Sequence, residues 1–210
     1  MGRVALADLD AVTLDAFGTL LELRDPVPAL RQALAERGVE RDERAVREAF
    51  EVEAEYYRAH RLQARDDETL AQLYERCGET FLAAVGAPGL GAFDYGGFFE
   101  FTVIDGVPEA VERLARYGLA LAVVADWDIG LAQRLHDRGL DRHLATVVTA
   151  AEVGAVKPST AGFRLALDRL RVEPNRALHV GDQPRDAEGA AAAGMHFEPA
   201  PLSDVLERLS

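Results

Sequence analysis

The 210-residue chain has a single cysteine, Cys77, which excludes an internal disulfide. Lys and Arg number 23 against 36 Asp and Glu, leaving a formal net charge of -13 at pH 7. Nucleic-acid binders need clustered cationic side chains to displace counterions from phosphates, so this balance argues against a DNA or RNA partner. The same surplus of acid disfavours docking on an anionic membrane surface. No apolar run approaches the roughly 18 residues of a membrane span. Asp8 and Asp10 interrupt the first ten residues, where a secretion signal needs an unbroken apolar stretch. The expected setting is the cytoplasm and the expected ligand a small molecule, whose site can be locally cationic in an acidic protein. Cys77 falls in a helical pattern and reads as a small buried hydrophobe rather than a reactive thiol.

What is present is ordinary for a folded domain: 49% hydrophobic and 28% charged residues, in a chain long enough to bury a sizeable core. Ala11-Val12-Thr13-Leu14 is a short β-branched run that ends at Asp15 and is broken by Gly18-Thr19, as for a buried strand entering a turn. From Asp25-Pro26 to about residue 85, apolar residues recur at three- and four-residue spacing with charges between them. Gly38, Gly86, Pro88, Gly89 and Gly91 punctuate this pattern, which reads as a small all-helical unit. Beyond it strands and helices alternate. Asp105 is placed to cap a helix running through Arg116, and 119–124 is the continuous apolar run of a strand buried on both faces. A helix over 129–138, a strand over 146–148, a helix from a Ser159 cap to Leu170, a strand over 177–180, a helix over 187–193 and a strand over 195–197 follow. Such alternation implies βαβ units and a parallel sheet. The expected class is α/β, with a Rossmann-like core over 1–22 and 99–210 and a helical domain over 23–98 inserted into it.

Four places stand at or just beyond the carboxyl ends of the expected strands: Asp15, Ala125-Asp126, Lys157, and Asp182 with Asp186. Open parallel sheets bind ligands in the crevice at those ends. Carboxylates and a lysine converging there make a site for a metal ion and a phosphate, and Mg²⁺ favours a few carboxylates plus water. Each residue also has a plain reading: a turn carboxylate, a solvated lysine, a helix cap followed by a first-turn acid. His179, inside a strand, reads as a packed core histidine. Asp8 and Asp10 lack a following glycine and precede the better strand.

Asp15-Ala16-Phe17-Gly18-Thr19-Leu20 resembles the first motif of the haloacid dehalogenase superfamily. Val123-Val124-Ala125-Asp126 stands where the second motif falls, Lys157-Pro158 resembles the third, and Gly181-Asp182-Gln183-Pro184-Arg185-Asp186 resembles the acidic fourth. The order agrees throughout, and the helical insert resembles that superfamily's helical cap. The resemblance implies a hydrolase in which Asp15 attacks phosphorus or carbon to give a covalent aspartyl intermediate, with Lys157 neutralising charge beside it. In the phosphatase branch it implies Mg²⁺ held by Asp15, the Phe17 carbonyl and Asp182, with Asp186 binding the ion or its water. Phe17, Gly18, Thr19, Ala125 and Asp126 would line the substrate, Gly18 and Thr19 through backbone N–H groups.

Two positions depart from that pattern. Phosphatases of the superfamily carry an acid two residues after the nucleophile, where Phe17 cannot transfer a proton. The second motif normally offers a Ser or Thr hydroxyl, which Ala125 lacks. The resemblance therefore implies an Mg²⁺-dependent phosphatase for a small phosphorylated molecule, favouring good leaving groups. Its alternatives are a binding protein that has lost turnover, and a 2-haloacid dehalogenase.

Overall fold

The computed structural model describes residues 5–90 and 93–209, so Gly91 lies outside them. Along the chain come β1 (Ala11–Leu14), β2 (Leu21–Leu23), α1 (Val27–Ala35), α2 (Glu43–His60), α3 (Asp67–Ala84), β3 (Phe101–Val103), α4 (Val107–Arg116) and β4 (Ala120–Ala125). Then follow α5 (Leu131–His136), β5 (Leu144–Thr149), α6 (Ala150–Val153), α7 (Ala161–Leu170), β6 (Ala177–Gly181), α8 (Pro184–Ala192), β7 (His196–Pro199) and α9 (Leu202–Arg208). No helix among the described residues is long and apolar enough to cross a membrane.

Contacts divide the chain into two compact units, Met1–Glu22 with Thr102–Ser210, and Leu23–Phe101. The short paired strands β2 and β3 carry the chain out of the first unit and back. They are too brief to show a period in the sequence.

The first unit is an α/β fold on a parallel sheet of order β5-β4-β1-β6-β7. All of β1 is buried because it has neighbours on both edges and helices over its faces. Leu14 is in register with Val123 on one side and Val180 on the other. The strand order runs outwards from β1 in both directions, which makes β1 the switch point where an open parallel sheet presents its crevice. The core beneath is Val124, Val148, Phe163, Ala166, Leu167, Ala190 and Met195 with the alanines of β1, β4 and β6. The small residues of α8 let it lie close: a side chain at Gly189 would meet the Phe163 ring at 2.5 Å.

Several helix ends differ from expectation for local reasons. Gly106, in the left-handed region at φ 78, caps α4 in place of Asp105. Asp128 Oδ1 accepts the Gly130 N–H at 2.7 Å and holds a turn, so α5 begins only at Leu131. Thr160 rather than Ser159 occupies the N-cap of α7, and Pro184 at the first position starts α8 ahead of residue 187.

The second unit is helical. Asp42 accepts the Ala45 N–H at 2.8 Å to start α2, and Asp66 forms a capping box with Thr69 to start α3. Its core is Leu30, Leu34, Val46, Leu73, Cys77, Phe81 and Tyr95, with Phe50, Phe93, Phe98 and Phe99 packed against them. Cys77 is buried there. The aromatics are already matched to one another, as in Phe81–Tyr95 at 5.0 Å and Tyr95–Phe99 at 4.9 Å between ring centres.

Candidate functional site

Asp15 is the first residue past β1, and its N–H still donates to Val180 O at 2.8 Å, so the sheet ladder fixes its backbone. The carboxylate is enclosed and ion-pairs with Lys157 Nζ. Lys157 arrives from the loop before α7 and is itself buried. Its ammonium also meets Asp186 Oδ1 at 2.5 Å and Val124 O at 3.1 Å, which accounts for all three of its donors. Lys157 is the only lysine of the chain, every other side-chain cation of fixed charge being arginine.

Asp186, fully buried at the start of α8, accepts from three donors. Its Oδ1 takes Lys157 and lies 3.3 Å from His179 Nε2, and its Oδ2 takes the Gln183 N–H at 2.9 Å. His179 on β6 faces Thr13 on β1 across the register, with Thr13 Oγ1 2.8 Å from His179 Nδ1. Burial lowers the histidine's pKa, so the ring is neutral. Its one N–H then points at Asp186, and Nδ1 accepts from Thr13. His179 is thus both a core residue, edge-on to Phe163, and the support of a site carboxylate.

The electrostatics follow from this packing. Burial opposes the charge on Asp186, but the His179 bond and the Lys157 charge outweigh it and hold the carboxyl well below the usual range. Burial likewise opposes the Lys157 ammonium, and Asp15 and Asp186 overcome it and raise its pKa. Asp15 goes the other way: burial, reinforced by the Asp186 charge and only partly offset by Lys157, pushes it up to about 6. Asp186 is the permanent anion of the pair.

Asp182, exposed beyond β6, is bonded by Gln183 Nε2 at 2.7 Å. It crowds Gly18, whose φ of 83 and missing side chain are both required: a Cβ there would collide with the Asp182 carboxylate. Gly181 is bare for the same reason towards Asp186. Asp15, Asp182 and Asp186 each bring one carboxylate oxygen within 4.8 Å of the others. Three anions against one lysine leave a negative surplus that hard oxygen donors of this kind pass to a divalent cation, so the residues fit Mg²⁺.

Phe17 is 52% exposed, with its ring 6.5 Å from that of the buried Trp127. Gly18 N–H donates to Leu21 O at 2.8 Å and Thr19 N–H to Ala16 O at 3.3 Å. The turn uses both amides to close itself. Thr19 is buried, and its hydroxyl has no hydrogen-bond partner among the described residues. Ala125 is buried and ends β4. Asp126 does not stand open to the crevice: Oδ1 accepts the Lys157 N–H at 2.8 Å and Oδ2 pairs with Arg185 Nε at 3.1 Å. The roles of Thr13, Asp126, His179 and Arg185 were not read from the sequence. A groove lined by Pro108, Glu112, Arg138 and Arg142 among others contains none of the site residues.

A family model of haloacid dehalogenase-like hydrolases matches residues 9–194. The haloacid dehalogenase-like hydrolase domain-containing protein 3 of Mus musculus is 39% identical over 104 residues, which are 49% of this chain and 41% of that protein. A phosphoserine phosphatase of Thermus thermophilus is 41% identical over 93 residues, 42% of this chain and 37% of the enzyme. A phosphoglycolate phosphatase of Rhodospirillum rubrum is 36% identical over 95 residues, 45% of this chain and 39% of the enzyme. The chain therefore spans about two-fifths of the length of these relatives. Among solved structures, a 2-haloacid dehalogenase of Pseudomonas syringae superposes with a TM-score of 0.67 at 24% identity, covering 96% of this chain and 98% of that one. A HAD phosphatase of Thermococcus onnurineus does so with 0.66 at 22%, again over 96% and 98%. At such identities the likeness shows the fold. The match over residues 9–194, which takes in all four motifs, shows more: the chain belongs to the haloacid dehalogenase-like hydrolases.

Proposed function

We propose that this protein is a cytoplasmic, Mg²⁺-dependent phosphatase that transfers the phosphoryl group of a small substrate to Asp15 and then to water. The observation that carries the reading is Lys157, buried with its ammonium between Asp15 and Asp186. Asp186, held by His179 and Gln183, keeps that charge in place, and the Lys157 charge in turn favours the ionised nucleophile. When bound, Mg²⁺ would be held by Asp15, the Phe17 carbonyl and Asp182, and would screen the repulsion between an anionic nucleophile and an anionic substrate. Asp186 already accepts from Lys157, His179 and Gln183, so it anchors the lysine and would serve the ion or its water only secondarily. In-line attack by an Asp15 oxygen forms the aspartyl phosphate and expels the leaving oxygen. Phe17 supplies no proton to it, which restricts good substrates to leaving groups stable as anions. The phosphatase relatives support the reaction class.

The test is turnover of p-nitrophenyl phosphate with Mg²⁺, removed by EDTA and by Asp15→Asn. Stabilisation by phosphate without turnover would instead favour a binding protein. Chloride release from a 2-chloroacid, insensitive to EDTA, would favour dehalogenation.

A further inference from the structure

Arg185 follows β6 and Asp126 follows β4, and β1 lies between those two strands. Neighbouring strands are about 4.8 Å apart, so the Arg185–Asp126 ion pair reaches across the carboxyl end of β1, the end that bears Asp15. Asp126 is turned into the protein: its side chain is 8% exposed, one oxygen accepting the Lys157 N–H and the other lying 3.1 Å from Arg185 Nε as an ion pair. The Arg185 side chain remains 50% exposed. The guanidinium makes no hydrogen bond to another described residue, so its donors remain for a ligand. Next to Asp126 is Ala125, the residue without a hydroxyl where the family's second motif offers one.

We propose that Arg185 supplies the missing donor: its Nη groups bind an oxygen of the transferring phosphoryl group, and Asp126 is the positioning residue that sets the guanidinium over β1. This rests on the phosphatase reading above and adds a phosphate ligand to it. Arg185 stands one residue before Asp186, so the helix start that places the lysine's anchor also places this cation. The charged fork replaces a neutral hydroxyl, and Asp126 balances it, so Ala125, Asp126 and Arg185 form one device.

The experiment measures orthophosphate binding in the presence of Mg²⁺, by calorimetry and as product inhibition of p-nitrophenyl phosphate turnover, for the wild type, Arg185→Gln, Arg185→Lys, Asp126→Asn and Arg185→Gln with Ala125→Ser. Loss of one charge-assisted bond predicts phosphate binding weaker by about 10- to 100-fold in Arg185→Gln, less in Arg185→Lys, with an unchanged unfolding midpoint. Asp126→Asn keeps an acceptor for the Lys157 amide but releases the guanidinium, and weakens phosphate binding without altering the midpoint. Ala125→Ser restores part of the loss, because the hydroxyl returns to the same oxygen. Phosphate affinity that survives both Arg185 substitutions overturns the role of Arg185 while leaving the phosphatase reading intact. Failure of the wild type itself to bind phosphate or turn over the ester overturns both.

Discussion

Lys157 and Asp186 form an ion pair from which solvent is excluded, with side chains 3% and 0% exposed. A buried pair is costly to assemble but far more costly to break, because the survivor is left as an uncompensated charge. Here the survivors would be two, since Asp15 shares the same ammonium. Lys157→Met is therefore expected to lower stability by about 3–5 kcal/mol as well as to abolish turnover. Urea denaturation checks the first part, and a loss below about 1 kcal/mol would mean the three groups are not coupled as described.

Asp182 and Asp186 should separate in a metal titration. Asp182 is exposed and beside Gly18, whereas Asp186 is enclosed by Lys157, His179 and Gln183. Asp182→Asn is expected to raise the Mg²⁺ concentration for half-maximal activity by more than about 100-fold, and Asp186→Asn by no more than about 10–100-fold, with its main effect on kcat. Equal shifts in metal dependence would make Asp186 a direct ligand.

Phe17 stands exposed where a proton donor would serve the leaving group. Phe17→Asp is expected to increase hydrolysis of alkyl phosphates by about 10²–10⁴-fold and that of p-nitrophenyl phosphate much less. The ratio of the two rates reads this directly. A folded variant that leaves the ratio unchanged would show that protonation of the leaving group does not limit the enzyme.

Glu53, in the helical unit, accepts the Tyr95 hydroxyl at 3.0 Å and lies buried beside Cys77. Burial raises its pKa above the ordinary carboxylate value, against the opposing bonds from Cys77 and Tyr95. The folded state therefore binds this proton more tightly than the unfolded chain. The stabilisation is fully present below the unfolded pKa and is lost as pH rises through the folded one. Glu53→Gln keeps an acceptor for Tyr95 and removes the titration. Its Tm relative to wild type should rise by a few degrees between about pH 4 and pH 8. Parallel curves would place Glu53 in contact with solvent.

The sequence exposes the strand ends because a buried parallel strand is a continuous apolar run, and whatever polar residue ends it is conspicuous. Asp15, Asp126, Lys157 and Asp182 were legible for that reason, and the spacing from Asp182 brought Asp186 with it. The supports of these residues were not. That Thr13 faces His179 depends on β1 and β6 being neighbours in a given register, and that Arg185 meets Asp126 depends on β1 lying between β4 and β6. Neither relation has a local signature. The fate of the Gly18 and Thr19 amides depends on how the turn closes on Ala16 and Leu21, which spacing alone does not fix. One signal was available and unused: a chain that otherwise draws its fixed positive charge from arginine retains one lysine, at 157. A compact ammonium fits between two buried carboxylates where a guanidinium does not.

The most direct measurement is acid quench of a single turnover of p-nitrophenyl phosphate with Mg²⁺, followed by peptide mass spectrometry. One phosphoryl group is expected on the peptide containing Asp15, and none in Asp15→Asn. Turnover that proceeds with no phosphorylated peptide, or with the group on another residue, would contradict it.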